Sequence, residues 1–214
     1  MVGAQPVLID FAASIFERRI YDAENGSVLH RDVSRRSIGS RLHRLTFGGN
    51  PVAVSNSTKF IDLLKQESRR PVVLVVGGGT IGSGAEELYR DDSIELVGTD
   101  VYASPHTVLV ADAHKLPFDD GVFDGVWVQA VLEHVLEPAA VVAELHRVLR
   151  PDGIFLGTDS VDSDLIRDFH VDDVFVPLPP DQLAARLEAV GFRDAEVNVG
   201  DFELRFRATK PAVG

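Results

Sequence analysis

The chain of 214 residues has no cysteine, one methionine and one tryptophan. The missing cysteine excludes disulfides and thiolate chemistry. It also fits a reducing compartment, so a cytoplasmic location is the expectation. No apolar run approaches the roughly 20 residues that a membrane-spanning helix needs. The first 13 residues contain Asp10 and no basic start, which is not a secretory pattern. Positive charge is scarce as a whole, for the formal net charge is −12. Such a chain has little sequence-independent grip on nucleic acid, and nucleic acid is not expected as a partner.

The charge is unevenly spread. Residues 1–70 hold 11 Lys/Arg against 7 Asp/Glu, net +4, while residues 71–214 hold 10 against 26, net −16. Five arginines (Arg31, Arg35, Arg36, Arg41 and Arg44) fall close together with His43. They form either a solvated basic face or a docking face for an anionic body. With 45% hydrophobic residues, one globular core is expected. We divide it as an N-terminal extension, 1–70, packed on a main domain, 71–214. Within the extension the pattern predicts a helix over Val7–Ile20 and a turn at Asn25-Gly26. A loop follows at Gly48–Pro51, then a helix from Lys59 to about Glu67 capped by Ser57 or Thr58.

Val72 to Val76 run straight into Gly77-Gly78-Gly79-Thr80-Ile81-Gly82-Ser83-Gly84. The valine-rich run reads as a strand buried on both faces. The glycines let the backbone turn and leave room for a ligand. A helix follows near Ala85–Tyr89. Strand, glycine turn and helix make the nucleotide-binding crevice of a doubly wound α/β fold. Ile94–Asp100 is the second strand, and Asp100, with Val101 after it, lies 18 residues beyond Gly82. A carboxylate there can accept hydrogen bonds from ribose hydroxyls. The third strand, Thr107–Ala111, follows too closely for a crossover helix, so an extended loop is expected between them. Asp112-Ala113 then leaves the sheet at the same edge, where Asp112 could accept from an exocyclic amine. Phe123–Gln129 is the fourth strand, ending at Gln129 on the ligand edge.

Pro138 opens a helix whose spacing runs through Leu149, with Arg147 and Arg150 at its end and Pro151-Asp152-Gly153 as its stop. Ile154–Thr158 is the fifth strand. Pro180-Asp181 opens another helix, closed by Gly191-Phe192 as a left-handed cap. Two strands joined at Gly200-Asp201 end the chain as an antiparallel hairpin. Trp127, mid-strand, reads as core.

The order of these landmarks resembles the class I S-adenosylmethionine-dependent methyltransferases, especially the small-molecule group that includes quinone-biosynthesis enzymes. The resemblance covers about residues 70–210. It rests on the glycine turn, Asp100, Asp112-Ala113 with Leu116-Pro117-Phe118, Phe123-Asp124, Glu133-His134 and Leu149–Gly153. It implies a Rossmann-like, mostly parallel seven-stranded sheet with an antiparallel C-terminal strand and a helical N-terminal extension. It implies S-adenosylmethionine as cofactor, held by Gly77, Gly78, Gly79, Asp100, Val101, Asp112, Ala113 and Gln129. The chain departs from the family at Val75, where an acidic residue often holds the methionine end, and in its longer glycine turn. Glu86 and Glu87 stand near enough in sequence to compensate.

A methyl group on sulfonium is attacked in line, so the protein's task is to align the acceptor and exclude water. A hydroxyl acceptor must also lose a proton, and His134 after the fourth strand is the candidate base. A helix-start histidine making local hydrogen bonds is the plainer account. His106, His114 and His170 rank below it. Asp159, Asp162 and Asp164 offer oxygens that Mg²⁺ takes, but a solvated acidic loop is the simpler reading and no metal is assigned. The expectation is O-methylation of a small hydroxylated metabolite, a sugar or a lipid-linked saccharide among the candidates. The extension is expected to cover the acceptor pocket, and a homodimer stays open. Two other classes use the same crevice: a nicotinamide-dependent oxidoreductase, for which no Tyr-x-x-x-Lys pair is present, and a non-catalytic scaffold, which Val75 favours. Arg31 to Arg44 keeps a nucleic-acid or protein methyltransferase in view.

Overall fold

The computed structural model describes residues 5–21, 51–170 and 174–212. The arginine cluster of Arg31 to Arg44, the Asn25-Gly26 turn and Gly48–Asn50 lie outside the described residues. Helix α1 spans Pro51–Glu67 and leads into β1, Val72–Val76. A short helix α2, Glu86–Arg90, precedes β2, Glu95–Asp100, and β3 is only Leu109–Val110. Then come β4, Phe123–Gln129, and α3, Pro138–Val148. Strand β5, Leu149–Ser160, is followed by α4, Asp164–Phe169, and α5, Pro180–Val190. The hairpin β6, Arg193–Val199, and β7, Glu203–Thr209, closes the chain. No described helix is long and apolar enough to cross a membrane.

The seven strands lie in the order β3-β2-β1-β4-β5-β7-β6. Pairing is parallel from β3 through β5, and β7 is antiparallel to both neighbours. The chain works outward from β1 to β3, then returns to place β4 on β1's other side. That reversal opens a crevice at the carboxyl ends of β1 and β4.

Alternate residues of the central strands face opposite sides. Leu74, Val76, Val126 and Val128 pack with Leu145 of α3 and Leu187 of α5. Val73, Val75 and Trp127 pack with Phe60 and Leu64 of α1 and Leu88 of α2. Val75, at the family's acidic position, is therefore a core residue under α1. A Cβ on Gly125 of β4 would come within 2.8 Å of both Phe60 and Leu64, so α1 docks where the strand has no side chain.

Several expectations need correction. Residues 7–20 form no α-helix. They run as turns, with Val7 bridging Val110 and a 3₁₀ turn at Arg18–Tyr21. The amide of Leu8 donates to Val110 and that of Val110 to Pro6, so the segment satisfies the outer edge of the short β3. Helix α1 begins eight residues before Lys59. Ser57 and Thr58 lie inside it, donating back to the Val54 carbonyl rather than capping.

Helix α3 stops at Val148, and Leu149 to Gly153 already belong to β5. The stop is not the Pro-Asp-Gly run. Leu149 adopts extended dihedrals and pairs with Phe123. Around this junction the carbonyls of His146, Arg147 and Leu149 accept from Lys210 Nζ at 2.8, 3.3 and 2.7 Å. Asp159 is a buried residue of β5, not part of a solvated loop, and Asp164 opens α4. The loop expected between β2 and β3, the Gly191 cap (φ 116°), the buried Trp127 and the antiparallel hairpin are all present.

Candidate active site

A cavity of about 390 Å³ opens at the carboxyl ends of β1, β2, β3 and β4. Val76 and Gly77 form its floor, Thr99 to Tyr102 one wall, and Ala111 to His114 the next. Ala130, Val131 and His134 to Leu136 close the side beyond β4, and Ile15, Phe16 and Val174 form the rim. Gly77 needs its positive φ of 71°, and a Cβ there would lie 2.2 Å from the Val131 side chain. The turn and the β4 exit therefore touch, and only glycine fits between them.

Asp100 ends β2 with its carboxylate fixed. Oδ2 accepts from the Gly79 amide at 2.9 Å and Oδ1 from the Val101 amide at 2.7 Å. Asp112, one strand over, accepts from the Ser14 hydroxyl, from the His114 amide at 3.0 Å and from His114 Nδ1 at 2.7 Å. Burial alone would raise the Asp112 carboxyl, but the Ser14 and His114 donors outweigh it and hold the group below its ordinary value. Tyr21 donates to the Val101 carbonyl at 2.9 Å. Burial, then the charges of Asp112 and Asp100, push its phenol up.

Of the residues singled out in the sequence, Gly77, Asp100, Val101, Asp112, Ala113 and His134 share this cavity. Gly78 and Gly79 sit behind it. The Gly78 amide donates to Thr99, and Gly79 faces a second recess lined by Thr80 and Tyr102 to His106. Gln129 turns away to donate to the Ser83 carbonyl at 3.1 Å, bracing the glycine loop. Glu87 pairs with Arg90 on the surface at 2.9 Å.

His134 ends the 3₁₀ turn Leu132–His134 that follows β4. Two buried carboxyls hold that turn. Asp159 accepts from the Val131 amide at 2.9 Å, and Glu133 accepts from the Ser160 amide at 2.7 Å and hydroxyl at 3.1 Å. Asp159 is raised well above its ordinary value, first by burial and then by the charge of Glu133. His134 Nδ1 lies 3.0 Å from the Val174 carbonyl and Nε2 lies 3.6 Å from Glu133 Oε1. Sequence reasoning missed Ser14, Ile15, Phe16 and Tyr21 as site residues. It also ranked His170 low, although its ring centroid lies 5.0 Å from that of His134. No spacing signal linked Ser14 with Asp112, 98 positions apart, or His134 with His170, 36 apart.

A family model described as a methyltransferase domain matches residues 39–157, more than half of the chain. The chain belongs to the methyltransferase-domain family. The resemblance read from the motifs thus holds at the level of the family. A malonyl-[acyl-carrier protein] O-methyltransferase of Laribacter hongkongensis is 30% identical over 102 residues, 48% of this chain and 28% of that one. A demethylmenaquinone methyltransferase of Mycolicibacterium vanbaalenii is 34% identical over 100 residues, 47% of this chain and 41% of that one. The chain therefore spans less than half the length of either relative. Phosphoethanolamine N-methyltransferase 2 of Haemonchus contortus, solved with S-adenosyl-L-methionine, superposes with a TM-score of 0.58 at 17% identity. That match covers 72% of this chain and 52% of the other, and it speaks for the fold.

Proposed function

We propose that this chain is an S-adenosylmethionine-dependent methyltransferase acting on a small acceptor through a hydroxyl oxygen. The observation that carries this reading is the pairing of Asp100 and Asp112 at adjacent strand ends, on one cavity floored by the Gly77 turn. A ribose and an adenine need two such acceptors side by side, and the cavity is of ligand size. The cofactor supplies a methyl group activated on sulfonium. Asp100 holds the ribose hydroxyls. Asp112 and Ala113 flank the base. The narrow turn at Gly77 lets the backbone approach the methionyl end, in place of the side chain that Val75 does not offer.

The acceptor enters between the rim residues Ile15, Phe16 and Val174, beside Leu136 of the wall. Their apolar character favours a hydroxylated ring or a lipid-linked acceptor over a bare sugar. One relative methylates demethylmenaquinone by its name, and a ring acceptor of that sort suits the same rim. Activation of the hydroxyl falls to the His134 wall, through a proton taken by the imidazole or through an ion the imidazole helps to hold. In this reading Ile15 and Phe16 cover the pocket, while α1 belongs to the core of the domain.

Calorimetric titration with S-adenosylmethionine, S-adenosylhomocysteine and NAD tests the reading. Micromolar binding of the first two and none of NAD is expected. Binding of NAD alone would overturn it, and binding of none of the three would favour a scaffold. His134→Ala is expected to lower kcat at least tenfold while leaving cofactor affinity within about twofold; unchanged turnover would remove His134 from the chemistry.

A further inference from the structure

Behind the acceptor wall, Glu133, His134 and His170 each offer one ligand atom, and the three atoms lie within 4.8 Å of one another. They come from separate elements, the turn after β4 and the residue that ends α4. Both rings are set in the same sense. His134 Nδ1 faces the Val174 carbonyl at 3.0 Å, and His170 Nδ1 faces the Ile166 carbonyl at 2.7 Å. A carbonyl can only accept, so each Nδ1 carries a proton, and in the neutral ring Nε2 is then the nitrogen with the lone pair. That tautomer, locked by a backbone carbonyl, is the one a metal-bound imidazole takes. His170 is held further by stacking on Phe175, with centroids 4.6 Å apart. Glu133 is anchored through Ser160, and its Oε1 faces His134 Nε2 at 3.6 Å, too far for a hydrogen bond.

We propose that Glu133 Oε1, His134 Nε2 and His170 Nε2 bind one divalent transition-metal ion at the acceptor end of the pocket. Two imidazoles and one carboxylate suit Zn²⁺, Fe²⁺ or Co²⁺ better than Mg²⁺ or Ca²⁺, which take oxygen. Bonds of about 2.0–2.2 Å would bring the ligand atoms to about 3–3.5 Å from one another. From separations of up to 4.8 Å, the contraction needed is at most about 1.3–1.8 Å. Three protein ligands leave a coordination position open. His134 lines the cavity, so that position faces the acceptor.

This deepens the proposed function and, for the ion's role in catalysis, rests on it; ion binding itself does not. An acceptor hydroxyl on the ion loses its proton to solvent near neutral pH. Its oxygen then forms the bond to the methyl carbon as the carbon–sulfur bond breaks. The products are a methyl ether and S-adenosylhomocysteine. His134 spends its lone pair on the ion and is a ligand rather than the base.

The test uses the full chain, stripped with a chelator and dialysed. Titration with Zn²⁺ by calorimetry is expected to show one tight equivalent, and Co²⁺ the visible absorption of a low-coordinate nitrogen–oxygen site. His170→Ala and His134→Ala should each weaken Zn²⁺ binding at least tenfold. Glu133 is buried, so Glu133→Gln also probes folding, and His170→Ala is the deciding variant. Its S-adenosylmethionine affinity should stay unchanged, which separates a lost ion site from a lost fold. Absence of a tight equivalent, or Zn²⁺ affinity unaltered in both histidine variants, would overturn the proposal. Tight Zn²⁺ binding in a protein that binds no S-adenosylmethionine would support the ion site and overturn the methyltransferase reading.

Discussion

Asp100 and Asp112 end neighbouring strands yet meet different partners. Asp100 is held by amides of the glycine turn and of its own strand end, whereas Asp112 is held by the Ser14 hydroxyl from the N-terminal segment and by the amide and ring of His114, two residues on. Asp100→Ala is expected to weaken S-adenosylmethionine binding about 10- to 100-fold, the scale of a charge-assisted hydrogen bond. Calorimetry would show it, and Asp100→Asn, which keeps the shape, should retain more of the affinity. Unchanged binding would remove Asp100 from the ribose site. Both acids were legible in the sequence because each follows a recognisable strand at a fixed place. Ser14 was not, for nothing local pairs it with a residue 98 positions on.

Helix α3 shows how one element anchors a motif that sequence alone leaves floating. Leu116-Pro117-Phe118 follows Asp112, and α3 holds it through two side chains. Glu144 accepts from the Leu116 amide at 2.7 Å and from Arg147 at 2.7 and 2.9 Å. Arg147 also donates to the carbonyls of Phe118 and Leu116 and to Asp120. The helical pattern had placed Arg147 at the helix end for its charge alone. Burial raises Glu144, but the donors Arg147 and Leu116 outweigh it and leave the carboxyl below its ordinary value. A depressed carboxyl stabilises the fold above its unfolded value, near 4.3, and the contribution is lost as pH falls through the folded value. Glu144→Gln should therefore unfold at a lower denaturant concentration at neutral pH, and the difference from wild type should shrink towards pH 3 (about 1–2 kcal/mol at most, since the pair is partly exposed). At the same C-terminal end of the helix, Lys210→Met should cost about 1–3 kcal/mol by removing the donor from the carbonyls of His146 and Leu149, while that of Arg147 keeps the Gly121 amide.

At the scale of the molecule, α1 turns a half-covered sheet into a three-layered one. Phe60 is fully buried, 5.5 Å from the Trp127 ring, over Gly125. Phe60→Ala should cost about 3–5 kcal/mol, read from denaturant unfolding. Gly125→Val, which adds volume at the same contact, should cost about 1–3 kcal/mol; wild-type stability in both would mean that α1 is not a layer of the core. The sequence by itself determined the central strands, the glycine turn, the acids at the strand ends, the α5 cap and the terminal hairpin. Each of these is written locally, in a hydrophobic run or in a turn residue with a special backbone conformation. Only the tertiary structure decided that Val75 is core, that residues 7–20 edge the sheet, that Lys210 ends α3 and that His170 meets His134. Those outcomes depend on contacts between segments distant in the chain, and periodicity carries no record of which distant surface a side chain will face.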